Sequence, residues 1–572
     1  MSIWILGIHD GHNCGASLIC DGAVVASVNE ERLSRNKNDI GYPRRSIEDV
    51  LAIGGIDAGE LDAVVYASNF MHARAHLEDI TRWYPVGLKE QRADARRPKD
   101  YAHKMLDIRR GERIDDVVEH LGVAPDKVSF VEHHLAHLTA AYYTAPNIKA
   151  GQTALGLTCD GAGDNLSATV SICQGTSIDR IAETDRHASL GKIYSRVTYM
   201  MGMTPWEHEY KLMGLAPYAD PERSDQAADA LRKLLRVSED GLRFELASDL
   251  STNYCYDYLR EQFERVRFDT IAGATQLFTE EMLVAWVRGC IASTGVSDLV
   301  CGGGVFMNVK ANMLIAEMPE VRSMYVMPSA GDESLSIGAA LHHYHQTNAS
   351  ESFEASVLPN LYLGGSRGDE EEAAVEEATK MSALEVTQPD DMNIAIAELL
   401  ANGEIVASCR GPMEWGARAL GNRSILSPAD DFSRVDTINA MIKMRDFWMP
   451  FAPSILEEAA QEYFDDPKGI APQYMTFAFP TAEDRYKDIS AASHPKDRTI
   501  RPQVVTRAAN PDYHAVIAEY RKRTGRGAIM NTSFNLHGEP IVCGPADALR
   551  VLRLSGLEYL ALNNYLVAKN IA

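Results

Sequence analysis

Paired cysteines are missing from this chain. Its nine cysteines include no C-x-x-C spacing, so neither a zinc ribbon nor a disulfide framework is indicated. Long apolar runs are missing too, since none approaches the roughly 18–20 residues that span a bilayer. The N-terminus, MSIWILGIHDGHN, lacks a basic n-region and has only a short apolar run, so no secretory leader is expected. Positive charge is scarce. A formal net charge of −24 and a pI near 5.2 speak against nucleic-acid and anionic-membrane partners, because phosphate binding needs a basic face. Residues 89–113, KEQRADARRPKDYAHKMLDIRRGER, are the local exception. A solvated helical face is the simplest reading of them, and a surface that receives an anionic substrate is the sharper one. Low-complexity segments and repeat arrays are also lacking. What is there is a 572-residue chain, 45% hydrophobic and 24% charged, of the composition of a soluble globular protein. Its length predicts two or more domains, and a reduced cytoplasmic enzyme is the economical class.

The first ~60 residues predict strands and turns by their short apolar runs. SIWILGI is an apolar run, GHNCG a turn, and ASLICDGAVVASVNEER a hairpin with Asp21-Gly22 at its tip. Residues 153–173, TALGLTCDGAGDNLSATVSIC, repeat that grammar. Each half therefore places an aspartate at a strand-to-strand turn, Asp10 and Asp160. Such turns can face each other across a cleft and hold a nucleotide phosphate and its metal through backbone N–H groups. Further on, DLVCGGGVFMNVKANMLI leads from a strand through Gly302-Gly303-Gly304 into a helix, and Asp332 opens another helix in MPSAGDESLSIGAALHHYH. Composition changes over 346–385, which places the boundary near 350–370. The expected division is 1–350, a 351–370 linker and 371–572.

In VEHHLAHLTAAYY, His133 and His137 are four apart, on one face of a helix. The pair resembles the H-E-x-x-H helix of zinc proteases, but the residue after His133 is His134, so the glutamate base is missing. Two histidines in a helix are often only structural. With Asp160 and Asp332 they would complete a set of two nitrogen and two oxygen ligands, suited to Fe(II), Zn or Mn with open positions. His134 points to another face and reads as packing or support.

The C-terminal region carries cations among small residues. Lys443 and Arg445 in MIKMRDFWMPFAP stand at i and i+2, so on a strand they share one face. Arg410, Arg418 and Arg423 sit in CRGPMEWGARALGNRS. With Thr532-Ser533-Phe534-Asn535 these five could cage phosphate and carbonyl oxygens. The competing reading is a set of loop arginines at the surface.

These pieces, in this order, resemble the NodU/CmcH/TobZ-type O-carbamoyltransferases: GHNCGASL…EERLSRNKNDIGYP, HHLAH, DGAGD, CGGGVFMN, GDESLSIGAA, PMEWGARALGNRSIL, IKMRDFWMPFAPSI and NTSFNLHGEPIV. The resemblance implies an α/β fold. A duplicated ββαβα domain of the actin/hexokinase (ASKHA) superfamily, like that of threonylcarbamoyl transferases, is joined to a YrdC-like α/β domain. It implies that the second domain makes carbamoyladenylate and pyrophosphate from carbamoyl phosphate and ATP with Mg2+. The first would then pass the carbamoyl group to an acceptor hydroxyl and release AMP. By motif, His133, His137, Asp160 and Asp332 match metal ligands of the Fe2+ type, another divalent metal being the alternative. Gly161, Gly163, Gly302, Gly303, Gly304 and Asn308 match nucleotide contacts, and His12 matches the histidine expected as general base. Many relatives read His-Asp where this chain reads His12-Asn13, so no aspartate at 13 orients His12. Lys443, Arg445, Ser533 and Asn535 match the K-x-R and S-x-N elements of YrdC proteins. Arg418 and Arg423 lie in the arginine-rich motif, and this group is expected to hold carbamoyl phosphate and the ATP phosphates. Acceptors in the family include aminoglycosides, cephalosporins, macrolides, ansamycins and nodulation oligosaccharides. Residues 70–115 are the expected acceptor-facing segment.

The expected partner is a small-molecule hydroxyl acceptor, without nucleic acid or membrane, and a homodimer is left open. One alternative is a tRNA threonylcarbamoyl or hydrogenase-maturation type carbamoylating enzyme. The tRNA reading conflicts with the acidic balance, and the maturation reading lacks its acylphosphatase domain and Cys-rich zinc fingers. A nucleotide-binding regulator is the alternative of another class.

Overall fold

A computed structural model describes residues 2–72, 84–98, 100–348, 355–443 and 446–570. The chain divides into two compact units, Met1–Glu30 with Asn38–Leu358, and Glu31–Lys37 with Pro359–Ala572.

The first unit holds two five-stranded sheets of the same design. In the first, β1 (Trp4–His9), β2 (Gly15–Cys20), β3 (Ala23–Asn29), β4 (Ala63–Ala67) and β5 (Val128–Val131) lie in the order β3-β2-β1-β4-β5. β1 pairs antiparallel with β2 and parallel with β4, and β4 pairs parallel with β5. Asp21 and Gly22 both take positive φ, 48° and 82°, which suits the tight β2–β3 turn expected there. The second sheet is built from β6 (Thr153–Gly163), β7 (Leu166–Gln174) and β8 (Ser177–Asp185). A short β9–β10 ribbon (Leu235–Val237 and Phe244–Leu246) follows outside it, and then β11 (Asp298–Gly302) and β12 (Ser323–Val326) complete it. Its order is β12-β11-β6-β7-β8, with β6 antiparallel to β7 and parallel to β11. The repeated grammar around Asp10 and Asp160 is therefore a true duplication, because Asp10 follows β1 and Asp160 lies in the last residues of β6, the first strand of the second sheet. Both sheets share one topology, as the expected duplicated domain requires. Helix Leu335–Thr347 packs on β1 and on helix His133–Thr144. That contact brings Asp332, at its start, to the histidines.

The second unit is an α/β unit on one eight-stranded mixed sheet. Its strands are β13 (Leu384–Thr387), β14 (Val406–Cys409), β15 (Arg423–Ser427), β16 (Ala452–Leu456), β19 (Gln503–Val505), β20 (Ala528–Ser533), β21 (Tyr559–Leu562) and β22 (Tyr565–Lys569). A two-stranded ribbon, β17 (Phe479–Pro480) with β18 (Thr499–Ile500), stands apart. The sheet order is β13-β22-β21-β14-β15-β20-β16-β19. The segment Glu31–Lys37 packs in this unit through its arginines. Buried Arg32 donates to Gly416 O at 2.7 Å, and Arg35 donates to Ile541 O and Pro540 O at 2.6 and 2.9 Å. Among the described residues no helix is long and apolar enough to cross a membrane.

Candidate metal centre and anion site

His133, His137, Asp160 and Asp332 converge, with one ligand atom from each lying within 4.8 Å of all the others. His133 Nε2 is 3.4 Å from Asp160 Oδ2 and 3.2 Å from His137 Nε2, and His137 Nε2 is 3.5 Å from Asp332 Oδ1. The other ring nitrogens face hydroxyls. His133 Nδ1 is 2.9 Å from Ser68 Oγ, and His137 Nδ1 is 3.5 Å from Ser334 Oγ. In the tautomer that donates to those hydroxyls, both Nε2 lone pairs point into the cluster, as a metal site requires.

Electrostatics favours a cation there. Burial alone would raise the Asp332 carboxyl, but the imidazoles of His12, His133, His137 and His9 outweigh it and hold the group well below the usual range. Burial likewise opposes ionisation of Asp160, and the His133 hydrogen bond reverses it. Two ionised carboxylates are thus enclosed in a buried site, where charge must be compensated. In the metal-free chain His133 does this. Burial pulls its pKa down, but Asp332 and Asp160 raise it to about 9. A metal must displace that proton. Apparent affinity for a divalent metal should therefore fall as pH drops below 9, by about tenfold per unit between 9 and 7. Competition titrations at pH 7, 8 and 9 check this, and a flat profile would count against it.

The local sequence explains why the helix begins where it does. Glu132, the acidic neighbour of His133, is its N-cap, accepting from His134 N and Leu135 N at 2.9 and 2.8 Å and pairing with Arg180. His134 is buried with Nδ1 2.8 Å from Thr158 Oγ1, a packing role as expected. Asp164, missed by sequence reasoning, accepts from His133 N, Asn69 N and Phe70 N at 2.9, 2.7 and 3.0 Å. It fixes Ser68 beside His133. Replacing Ser68 with alanine should weaken metal affinity about tenfold and leave melting temperature nearly unchanged. Metal titration beside thermal unfolding checks this, and unaltered affinity would remove Ser68 from the site.

Gly163 and Gly303 serve this centre by making room for it. A methyl group on Gly163 would sit 2.0 Å from the His133 ring, and one on Gly303, at φ 96°, would sit 2.4 Å from Cys159 O. Gly304 N donates to Asp160 Oδ1 at 2.9 Å. Gly302 lies against the His137 carbonyl, and Gly161 lies beside Lys192. Asn308 caps helix Val309–Glu317 and exchanges amide hydrogen bonds with Gln276 at 2.9 and 3.0 Å.

Asp10 differs from the expected pairing of turns. Buried Arg113 donates to its Oδ1 at 2.9 Å, so Asp10 is neutralised by the chain's own cation. Asp160 alone of the two reaches the ligand set.

His12 stands beside the centre. Its Nδ1 is 3.3 Å from Asp332 Oδ2 and its side chain is 25% exposed. Its orienting carboxylate is therefore Asp332, 320 positions away in the chain. Asn13 takes φ 55°, a left-handed turn that asparagine tolerates well. His12 stacks on Trp206 with ring centroids 4.6 Å apart and planes inclined by 21°. Trp206 itself has φ 68°, a position held by its N–H, which donates to Glu209 Oε1 (2.8 Å), and by the edge of Tyr84 (5.5 Å). Burial is the main cause that raises the Glu209 pKa. Part of 70–115, the expected acceptor-facing segment, lies outside the described residues.

In the second unit the expected Lys443, Ser533 and Asn535 come together. Lys443 Nζ donates to Ser533 Oγ at 3.0 Å and to Asn535 Oδ1 at 2.7 Å, and Ser533 Oγ donates to Asn535 Oδ1 at 2.7 Å. His537 Nδ1 lies 2.9 Å from Lys443 O. Lys443 does not lie on a strand. It closes a π-helical turn, Asn439–Lys443, that continues helix Ser433–Ile438, a local distortion common at functional sites. Arg445 lies outside the described residues.

Arg423 departs from the phosphate reading. It is fully buried on β15 and donates to four backbone carbonyls, those of Cys543, Arg410, Gly411 and Asn422, at 2.8–3.1 Å. It staples the loops around the sheet. Arg410 bonds Asn393 Oδ1 and Asn563 O, and Arg418 is half-buried on the β14–β15 loop. That loop is organised by Glu414, whose buried Oε1 accepts from Leu420 N, Asn422 N and Arg423 N at 2.8–3.0 Å.

Residues 4–341 match the model of the carbamoyltransferase N-terminus, and residues 397–569 that of the carbamoyltransferase C-terminus. The chain belongs to the carbamoyltransferase family. It is an enzyme of that class. Nodulation protein NolNO of Sinorhizobium fredii is 31% identical over 99% of this chain and 80% of that protein. Nodulation protein NolO of Bradyrhizobium diazoefficiens is 31% identical over 77% of this chain and 79% of its own length. A crystal structure of full-length HypF in its phosphate- and nucleotide-bound form has a TM-score of 0.36 at 12% identity. It covers 61% of this chain and 56% of that one, too distant a likeness to carry an argument. In the carbamoyltransferase, the metal-competent cluster with His12 belongs to the first unit and the Lys443–Ser533–Asn535 trio to the second.

Proposed function

We propose that the protein is an ATP-dependent O-carbamoyltransferase that makes carbamoyladenylate in its YrdC-like second unit and transfers the carbamoyl group in its first. Atom balance sets the first reaction. Pyrophosphate and the adenylate account for all three phosphorus atoms of ATP, so the phosphate of carbamoyl phosphate leaves separately, with water consumed. Carbamate oxygen then bonds to the α-phosphorus as pyrophosphate departs. Bringing two polyanions together needs cations, and Lys443, with Ser533 and Asn535 as its neutral partners, suits that task. Arg445 and Arg418 are proposed to add charge there.

The observation that carries the second half is the Asp332 carboxylate shared between His12 and the metal-competent cluster. His12, held at Nδ1, takes the proton of the acceptor hydroxyl at Nε2 as the acceptor oxygen attacks the carbamoyl carbon. AMP leaves with the bonding pair of the broken carbon–oxygen bond. A divalent metal on His133, His137, Asp160 and Asp332, proposed to be Fe2+, would supply Lewis-acid charge for phosphate and carbamoyl oxygens. The acceptor is proposed to be a hydroxyl-bearing small natural product, and the acidic balance of the chain supports a partner other than nucleic acid.

Incubation with ATP, radiolabelled carbamoyl phosphate and a panel of hydroxyl-bearing natural products tests the reading. Label on an acceptor, with one AMP, one pyrophosphate and one phosphate per transfer, is expected. Label on tRNA and on none of the small molecules would overturn it.

A further inference from the structure

Lys192 is a cation of the first unit that neither the ligand set nor His12 explains. It lies in the first turn of helix Leu190–Met200. The N-cap of that helix, Ser189, accepts from Lys192 N at 3.0 Å and donates to Gly161 O at 2.7 Å, so the helix start is pinned to the residue after Asp160. A methyl group on Gly191 would stand 2.9 Å from Asp160 O, which shows how closely helix and strand approach. A methyl group on Gly161 would stand 3.8 Å from Lys192 Nζ. The ammonium also lies 5.9 Å from the centroid of Trp206, the ring on which His12 stacks. Base, aromatic platform and cation thus line one site beside Asp160 and Asp332.

Among the described residues, the Lys192 ammonium has no hydrogen-bond or ion-pair partner, although most of the side chain is enclosed. Enclosing an unpaired ammonium is costly, and a methionine of similar length would avoid the cost. Burial, and then the neighbouring Arg196, lower its pKa to about 8 against the pull of Asp160 and Asp332, so these carboxylates offset only part of the cost of enclosing the ammonium. A ligand oxygen that carries negative charge would offset the rest.

We propose that Lys192 is a catalytic residue of carbamoyl transfer, its ammonium binding the carbamoyl oxygen and stabilising the negative charge that develops there. The donor is an acyl-phosphate-type carbamoyl compound, so the inference rests on the carbamoyl-transfer activity and not on which phosphate leaves. In the step, the acceptor oxygen bonds to the carbamoyl carbon and its proton passes to the base. The C=O pair moves onto oxygen, where Lys192 holds it. On collapse that pair re-forms C=O, and the bond from carbon to the phosphate oxygen of the donor breaks with its electrons on the phosphate. Lys192 keeps its protons throughout.

The test uses the full-length enzyme with Lys192→Met and Lys192→Ala. In Lys192→Met, kcat for transfer should fall about 10²–10³-fold, with KM for the acceptor within threefold and metal content and thermal unfolding unchanged. In Lys192→Ala, ethylammonium should restore part of the lost kcat. Carbamoyladenylate formation is measured in the same preparations. Its absence in wild type would sink the adenylate reading and leave the Lys192 comparison standing on transfer from whichever donor the wild type uses. A Lys192→Met kcat within threefold of wild type would overturn the role. So would loss of metal together with kcat, or a loss that ammonium, methylammonium and ethylammonium all leave untouched in a variant that keeps its metal.

Discussion

Replacement of both His133 and His137 by alanine should release the metal, lower transfer to any acceptor by at least about 10³-fold, and leave pyrophosphate release intact. The size follows from what the pair does. The two imidazoles are the nitrogen donors of the candidate ligand set, and their loss leaves Asp160 and Asp332 alone in an enclosed site. Two carboxylates without a cation cannot both stay ionised there, so one takes up a proton. His12 then loses the charged partner that holds its Nδ1. Metal and base therefore fail together, which is why the effect should exceed that of removing one ligand. The second unit forms its trio from its own residues, so its chemistry should continue. Metal analysis of the purified variant, with transfer and pyrophosphate release measured side by side, checks all three parts. Undiminished metal would refute the ligand assignment, and parallel loss of both activities would refute the division of labour.

Lys443→Ala should do the reverse, with pyrophosphate release falling by about 10³-fold or more while transfer from supplied carbamoyladenylate remains near the wild-type rate. The buried ammonium donates to the Ser533 hydroxyl and to the amide and backbone oxygens of Asn535. An ammonium at this place would supply charge for phosphate oxygens. Lys443→Arg should not rescue fully, because a planar fork cannot replace a point charge between Ser533 Oγ and Asn535 Oδ1. The measurement is a coupled pyrophosphate assay followed by transfer from synthetic carbamoyladenylate. Retained pyrophosphate release would remove Lys443 from adenylate formation.

Much of this arrangement is legible in the chain, and the parts that are not share a cause. Spacing carries local information: the four-residue interval of His133 and His137 puts both imidazoles on one helix face, and the repeated strand–turn–strand grammar marks the duplication. Asp160 and Asp332 are legible because each sits at a Gly-rich turn next to a strand or helix start. The partners of His133 and Asp10 are not. Ser68, Asp164 and Arg113 reach the site through contacts 31 to 103 residues apart in sequence, which no local pattern encodes. The same holds for Asp332 as the orienting group of His12. Arg423 is a related case. Arg423 looks like a phosphate ligand in CRGPMEWGARALGNRS, yet its partners are backbone carbonyls, which have no sequence signature. The Glu31–Lys37 excursion into the second unit is equally hidden, because a short polar segment with two arginines shows no hydrophobic period to say where it docks. Gly163 shows the converse. Its place in DGAGD suggested a nucleotide turn, whereas the His133 ring above it already demands a residue without a side chain.

The central claim is that carbamoyladenylate stands between ATP and the acceptor. Wild-type enzyme mixed with ATP and radiolabelled carbamoyl phosphate, without acceptor, and quenched within one turnover should yield labelled carbamoyladenylate in equal amount to pyrophosphate. Label reaching an acceptor in the absence of ATP, or no adenylate with ATP present, would contradict it.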